Sequence, residues 1–96
     1  MTAIVHGKVY QVEILHYRQM NGELVLAGST AKHMRKNFSC RGGLTVVHLV
    51  RNGHVWCLGQ AKCSDQDNFN RKLGVRIALN RAVDAATDVY AKVAIK

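Results

Sequence analysis

The sequence predicts an α+β domain with an antiparallel four-stranded sheet made of two hairpins, a short helix between them, and a C-terminal helix packed on the sheet. Two Asn-Gly pairs, each between stretches rich in strand-forming residues, predict the hairpins. Apolar residues at helical spacing towards the C-terminus predict the long helix.

The clearer hairpin turns at Asn52-Gly53, between TVVHLVR and HVWCLGQ. Asn-Gly readily adopts the positive φ angles of a type I′ turn, so residues 45–60 are predicted to form two paired strands. A tight turn places Leu49 opposite Trp56. The opposite face is also apolar enough to be partly covered. The predicted core face consists of Val47, Leu49, Trp56 and Leu58.

The other hairpin is predicted to reverse at Asn21-Gly22. Tyr10, Val12, Ile14 and His16 alternate with mostly polar neighbours, which is typical of a half-buried strand. Residues 23–27 are the predicted return strand.

A short helix is predicted over residues 31–38, capped by Ser29-Thr30. The glycine-containing segment 39–43, SCRGG, is then a basic loop that leads into the second hairpin.

The C-terminal helix is predicted to begin at Asp65, with Ser64 as its N-cap and Asp67 in the capping-box position. Its expected sheet-facing stripe is Phe69, Leu73 and Ile77, and its small residues suited to close packing are Ala78, Ala82, Ala85 and Ala86. Gly74 inside this helix suggests the close approach of another backbone.

Composition indicates a single domain, residues 1–96, with a strongly basic surface. Fourteen Lys and Arg against six Asp and Glu give a formal net charge of +8. Such a field attracts nucleic acid or acidic protein surfaces, and charge alone does not choose between them. The odd number of cysteines, three, favours free thiols in a reducing compartment. The chain shows neither an apolar run of membrane-spanning length nor the order of a signal peptide, so we expect a cytoplasmic protein with no membrane partner.

The candidate partner-binding residues are basic residues around the 39–43 loop, at the end of the last strand, and on the C-terminal helix. They would contact phosphates or an acidic protein patch if the fold brings them together. The set consists of Arg35, Lys36, Arg41, Lys62, Arg71, Lys72, Arg76 and Arg81.

A zinc site is the main metal hypothesis. His48, expected opposite Cys57, has Cys63 further along the chain and Cys40 in the preceding loop. Zinc accepts thiolate and imidazole ligands, but the usual C-x-x-C spacing is missing and buried cysteine often serves as a small apolar residue. We therefore expect neither metal nor cofactor.

Catalysis is not predicted. A Cys-His pair would need an activated thiolate, an orienting partner and an oxyanion site, none of which the sequence specifies. Asp65 and Asp67 are better explained by helix capping than by acid-base chemistry. Phosphate-binding, dinucleotide-binding and nucleophile-elbow motifs are missing from the sequence.

The stretch KCSDQDNFNRKLGVRIALNRA resembles the C-terminal part of small, mostly uncharacterised proteins of bacteriophages and prophages. The resemblance covers about a fifth of the chain and is carried by Cys63, the acidic pair, F-N-R-K-x-G and I-A-L-x-R-A. It departs at Val75, where a basic residue often follows the glycine. In size and organisation the chain resembles anti-CRISPR proteins, which implies stoichiometric binding to host machinery.

We therefore expect a non-catalytic phage protein that acts in the cytoplasm of a bacterial host. Its basic surface would bind and block a nucleic-acid-guided defence complex, such as a CRISPR effector. The alternative is direct and mainly sequence-independent binding of nucleic acid. The sequence leaves the oligomeric state open.

Overall fold

A five-stranded antiparallel sheet carries one long helix across one of its faces. The structure is a computed structural model that describes the backbone of residues 1–95 and the side chains of residues 1–87. The α+β class is as predicted, with one strand more than expected. In chain order the elements are β1 (Thr2–Val5), β2 (Lys8–Met20), β3 (Glu23–Leu26), two 3-10 helices (Ala27–Ser29 and Lys32–Asn37), β4 (Leu44–Arg51), β5 (His54–Lys62) and α1 (Arg71–Ile95).

The strand order is β1-β2-β4-β5, and β3 pairs with the end of β2 on the same edge as β1. β1 pairs with residues 8–11 of the long strand β2, and β3 pairs with residues 17–20. Residues 13–16 of β2 therefore pair with β4 alone.

Three two-residue turns join the hairpins, and both residues of each turn have positive φ. The two predicted turns are confirmed, with φ of 54° and 82° at Asn21-Gly22 and 54° and 76° at Asn52-Gly53. The third turn, His6-Gly7, has φ of 51° and 75° and produces the unexpected strand β1. Histidine also adopts the left-handed conformation, although it is a weaker sequence signal than asparagine.

A β-bulge changes the predicted register of the β4–β5 hairpin. Val50 pairs with Val55 as expected, but Leu49 then pairs with Cys57 rather than with Trp56. The extra residue rotates the following side chains to the other face. Trp56 and Leu58 are consequently 57% and 49% exposed, so their predicted place in the core was wrong.

The core lies between the sheet and the small-residue face of α1. Val47 and Leu49 are fully buried on the sheet, and Ala78, Ala82 and Ala86 are buried at four-residue intervals on the helix. A Cβ atom on Gly59 of β5 would collide with the helix backbone at Ala78. Glycine and alanine at these contacts let α1 lie unusually close to the sheet.

The helix begins six residues later than predicted. Its first residue is Arg71, and the Asn70 side-chain oxygen accepts the N–H of Leu73 at 3.0 Å, which caps the helix. Ser64 instead accepts the N–H of Gln66 within a loop, at 3.3 Å. Because Phe69 precedes the helix and Leu73 is 42% exposed, the predicted sheet-facing stripe was wrong in those two positions.

Gly74 has a different close neighbour from the one predicted. A Cβ atom there would lie 2.6 Å from the hydroxyl oxygen of the buried Thr45 side chain, so the nearest group is a side chain rather than another backbone.

The segment predicted as a short α-helix is a 3-10 helix, Lys32–Asn37. Its N-cap residue is Ala31, which has no capping side chain, and the predicted cap Thr30 instead donates its hydroxyl to the Leu26 carbonyl oxygen at 2.9 Å. None of its residues is buried, which leaves little packing to support a longer helix. In residues 1–95, no helix has the length and apolar character needed to cross a membrane.

Candidate functional site

A concave surface lies between β2 and the first half of α1. The helix packs mainly on β5 and β4, so the helix-side face of β2 around Ile14 and His16 is only partly covered. Two adjoining hollows of about 450 and 720 Å³ occupy this space and share Ile14, His16 and Arg71. We call them together the β2–α1 groove.

The charged side chains that line the groove are all cationic. Among the residues whose side chains the structure describes, no Asp or Glu lines either hollow. A concave surface with charges of one sign concentrates counter-ions more strongly than scattered surface charges do. The five cations are Arg18, Arg35, Arg71, Lys72 and Arg76.

Arg18 is held at one end of the groove between two aromatic rings. Its guanidinium carbon lies 4.4 Å from the centroid of Phe69 and 5.6 Å from that of Phe38. Its Nη2 donates to the Ser39 carbonyl oxygen at 3.0 Å. Its buried Nε has no hydrogen-bond partner in the described structure. The contacts with the two rings and the hydrogen bond to Ser39 restrict the position of this charge.

Phe69 is held in place by two loops that pair with each other. Its N–H donates to the Cys40 carbonyl oxygen at 2.8 Å, and the Gly42 N–H donates to the Asp67 carbonyl oxygen at 3.0 Å. The ring also lies against Gly43, where a Cβ atom would be 2.5 Å from a ring carbon. The CSDQDNFN stretch therefore has a structural role: it places an aromatic ring beside Arg18.

His16 is half-buried, lines both hollows of the groove and lies close enough to Arg71 and Arg18 to feel both charges. Its Nδ1 lies 3.1 Å from the Thr45 hydroxyl, and its ring meets Phe69 edge to face with centroids 5.7 Å apart. Burial lowers the pKa of His16 below 6.5, and the charges of Arg71 and Arg18 lower the pKa further. An anion in the groove would favour the protonated imidazole and reverse this effect.

The structure brings together half of the eight basic residues singled out in the sequence. Arg35, Arg71, Lys72 and Arg76 line the groove. The remaining four basic residues do not line the groove. Lys36 is exposed on the 3-10 helix, and Arg81 donates to the Gln60 carbonyl oxygen at 2.6 Å. Arg41 lines a separate polar hollow with Asp65, and Lys62 lines another hollow with Asp67.

Sequence reasoning missed the centre of the site. His16 and Arg18 continue the two-residue alternation of Ile14, so the pattern of β2 was sufficient to place them on one face. The sequence predicts Phe38 and Phe69 within helices. No local sequence signal shows that both rings pack on Arg18. That arrangement depends on loops that are distant in the sequence.

The residues considered for zinc are not arranged as a metal site. The bulge pairs His48 with Leu58, so His48 and Cys57 point to opposite faces of the sheet. The His48 Nδ1 lies 3.8 Å from a Glu13 carboxylate oxygen, and burial raises the pKa of the Cys57 thiol. No cluster of three or more potential ligands occurs among the described residues.

The sheet face away from the helix is rich in exposed apolar side chains. Trp56 is its largest member, and its indole N–H donates to the Arg51 carbonyl oxygen at 3.1 Å. The exposed apolar residues of this face are Ile4, Val9, Val55, Trp56 and Leu58.

No family model, curated protein or solved structure matches this chain. The geometry of the groove is therefore the basis for the functional proposal that follows.

Proposed function

We propose that this protein is a non-catalytic nucleic-acid-binding protein that holds a sugar-phosphate backbone in the β2–α1 groove. The observation that carries the proposal is the concave lining of five cations without a carboxylate among the described side chains. Phosphate neutralisation by Lys and Arg supplies most of the affinity in sequence-independent binding.

The arrangement of Arg18 distinguishes the groove from an ordinary basic surface. Exposed arginines lose much side-chain freedom when they bind a ligand, and this loss weakens binding. Arg18 is already fixed by Phe38, Phe69 and the Ser39 carbonyl oxygen. Its position in the groove supports a role in ligand binding, because a cation needed only for solubility gains nothing from such a setting.

Binding would be mainly independent of base sequence. The charged groups of the groove are guanidinium and ammonium groups, which suit phosphate oxygens. Amide side chains, which read bases by paired hydrogen bonds, are not among the described residues lining the groove.

The exposed apolar sheet face favours a second candidate function, in which a protein is the partner. Exposed apolar residues grouped on one face are typical of protein interaction sites. With the resemblance to phage proteins, this face supports the proposal of a phage inhibitor that blocks a host nucleic-acid-guided defence complex in the bacterial cytoplasm. The groove would then compete for the guide or target strand of that complex.

A binding experiment tests whether the groove itself binds nucleic acid. Fluorescence anisotropy of a labelled oligonucleotide should show saturable binding by wild type, and unlabelled DNA or RNA of unrelated sequence should compete. The double variant Lys72→Glu/Arg76→Glu should bind much more weakly but still measurably at low salt, whereas Lys8→Glu/Arg51→Glu, with the same change of charge at the other end of the sheet, should bind like wild type. An unchanged affinity in the groove variant would contradict the proposal.

A further inference from the structure

We propose that the hollow around Arg18 is a pocket for one unpaired nucleotide, so that the ligand is single-stranded nucleic acid rather than a duplex. This inference rests on the proposed function and specifies its ligand. We call this hollow, of about 450 Å³, the end pocket. The residues that define it here are Arg18, Leu26, Arg35, Phe38, Phe69 and Arg71.

The size and lining of the end pocket suit a base with its phosphate. Its volume lies within the range of cavities that hold small ligands, roughly 300 to 1,000 Å³. Leu26 and Phe38 supply an apolar and aromatic wall, while Arg35 and Arg71 place cations at the same cavity. A nucleotide likewise combines an apolar part, the face of its base, with a charged part, its phosphate.

The end pocket is a half-open hollow walled by several elements, so a base that is stacked inside a duplex cannot lie against its walls. Its lining comes from β2, the 3-10 helices, the loop at Phe69 and the first turn of α1. A duplex presents its phosphates outward and keeps its bases stacked inside, so a base reaches such a pocket only from a single strand or after leaving the stack. Single-strand binders combine a basic groove with aromatic side chains on which bases stack.

The remainder of the groove gives the strand a path out of the pocket. Arg71 lines both hollows, and Lys72 and Arg76 follow in the second one. These two residues are four positions apart on the helix, roughly 6 Å along the helix axis. The next phosphates of the strand would therefore run along α1, while one base stacks on Phe38 in the pocket.

The test compares three labelled probes of equal length: oligothymidylate, the same strand with abasic sites, and a blunt duplex. Wild type should bind oligothymidylate at least about tenfold more tightly than the abasic strand, because base stacking on an aromatic ring is absent from the latter. It should also prefer oligothymidylate to the duplex. Phe38→Leu should bind the first two probes equally, and Phe38→Tyr should retain the preference.

Trp56→Leu is the matched aromatic control, because Trp56 is exposed on the other face of the sheet. It should leave the preference for oligothymidylate unchanged. If Trp56→Leu removes the preference and Phe38→Leu does not, the base stacks elsewhere and the inference is wrong.

Different results would contradict the nucleotide pocket and nucleic-acid binding in the groove. Equal wild-type affinity for all three probes, with binding still weakened in Lys72→Glu/Arg76→Glu, would overturn the nucleotide pocket and leave backbone binding in the groove. If wild type binds none of the probes at low salt, or if the charge reversal changes nothing, the proposed function fails and the inference fails with it.

Discussion

Gly43 and Phe69, 26 positions apart in the sequence, lie in direct contact, and that contact positions the aromatic ring that stacks on Arg18. The backbone of Gly43 has a φ of 115°, and a Cβ atom there would be 2.5 Å from the Phe69 ring. The ring in turn lies 4.4 Å from the Arg18 guanidinium. The shape of the end pocket therefore depends on a residue that does not line it.

Gly43→Ala should destabilise the fold and weaken binding together. The positive φ is strained for alanine, at about 1 to 3 kcal/mol, and the collision with Phe69 adds to this cost. Gly28→Ala is the control for stability only, because nothing lies within 4 Å of a Cβ atom there and its φ is not positive, although Gly28 lines the end pocket. Urea denaturation followed by circular dichroism measures the stability of both variants. Fluorescence anisotropy of a labelled oligonucleotide measures the binding of Gly43→Ala. Equal stability of the two variants would show that the contact is not required.

Leu49→Ala should cost much more stability than Leu73→Ala. Leu49 is fully buried between sheet and helix, so its truncation should cost roughly 2 to 5 kcal/mol. Leu73 is 42% exposed, so we expect a smaller loss of about 1 kcal/mol. The midpoints of denaturant unfolding give the comparison, and the reverse order would contradict the placement of α1.

The two-residue turns and the α+β class were predictable because the Asn-Gly signal is local. The bulge was not, because the choice between Trp56 and Cys57 opposite Leu49 depends on which side chain fits beneath the helix. The start of α1 was misplaced because Ser64 and Asn70 are both good caps. The hydrogen bonds of residues 67–69 with residues 40–42, from the Phe69 N–H to the Cys40 carbonyl oxygen and from the Gly42 N–H to the Asp67 carbonyl oxygen, keep the residues after Ser64 out of the helix.

The candidate site was predictable in its charge but not in its shape. Arg71, Lys72 and Arg76 were expected on the helix, where they lie. The place of Arg18 between Phe38 and Phe69 depends on two loops meeting beside β2. Nothing in the local sequence around any of the three residues indicates this stack.

The stability of the free protein should decrease as the pH falls below about 6.5, in part because of His16. Its pKa is lower in the folded state than the ordinary value of 6.5, so the unfolded chain binds more protons in this range. The contribution of neutral His16 to the free energy of unfolding is fully present above pH 6.5. It is lost as the pH falls towards the pKa of His16 in the folded state. Denaturation of wild type and His16→Gln at a series of pH values gives the free energy of unfolding of each protein. The difference between their pH dependences is the contribution of His16. Identical pH dependence in the two proteins would contradict this role.

Chelation should leave the fold unchanged. His48 and Cys57 point to opposite faces of the sheet, and no cluster of potential ligands occurs among the described residues. We expect the melting temperature to be the same with and without excess chelator. Stoichiometric zinc that is lost together with structure would contradict this expectation.

The salt dependence of oligonucleotide binding tests the central claim most directly, since it counts the phosphates that the groove neutralises. With five cations in the groove, the logarithm of the association constant should fall against the logarithm of salt concentration with a slope of at most about 3.5, at roughly 0.7 per phosphate of a single strand. Lys72→Glu/Arg76→Glu should reduce the slope by at least about 1.4, two contacts at roughly 0.7 each. Lys8→Glu/Arg51→Glu should leave it unchanged. Equal slopes in wild type and the groove variant would show that the β2–α1 groove does not hold the nucleic-acid backbone.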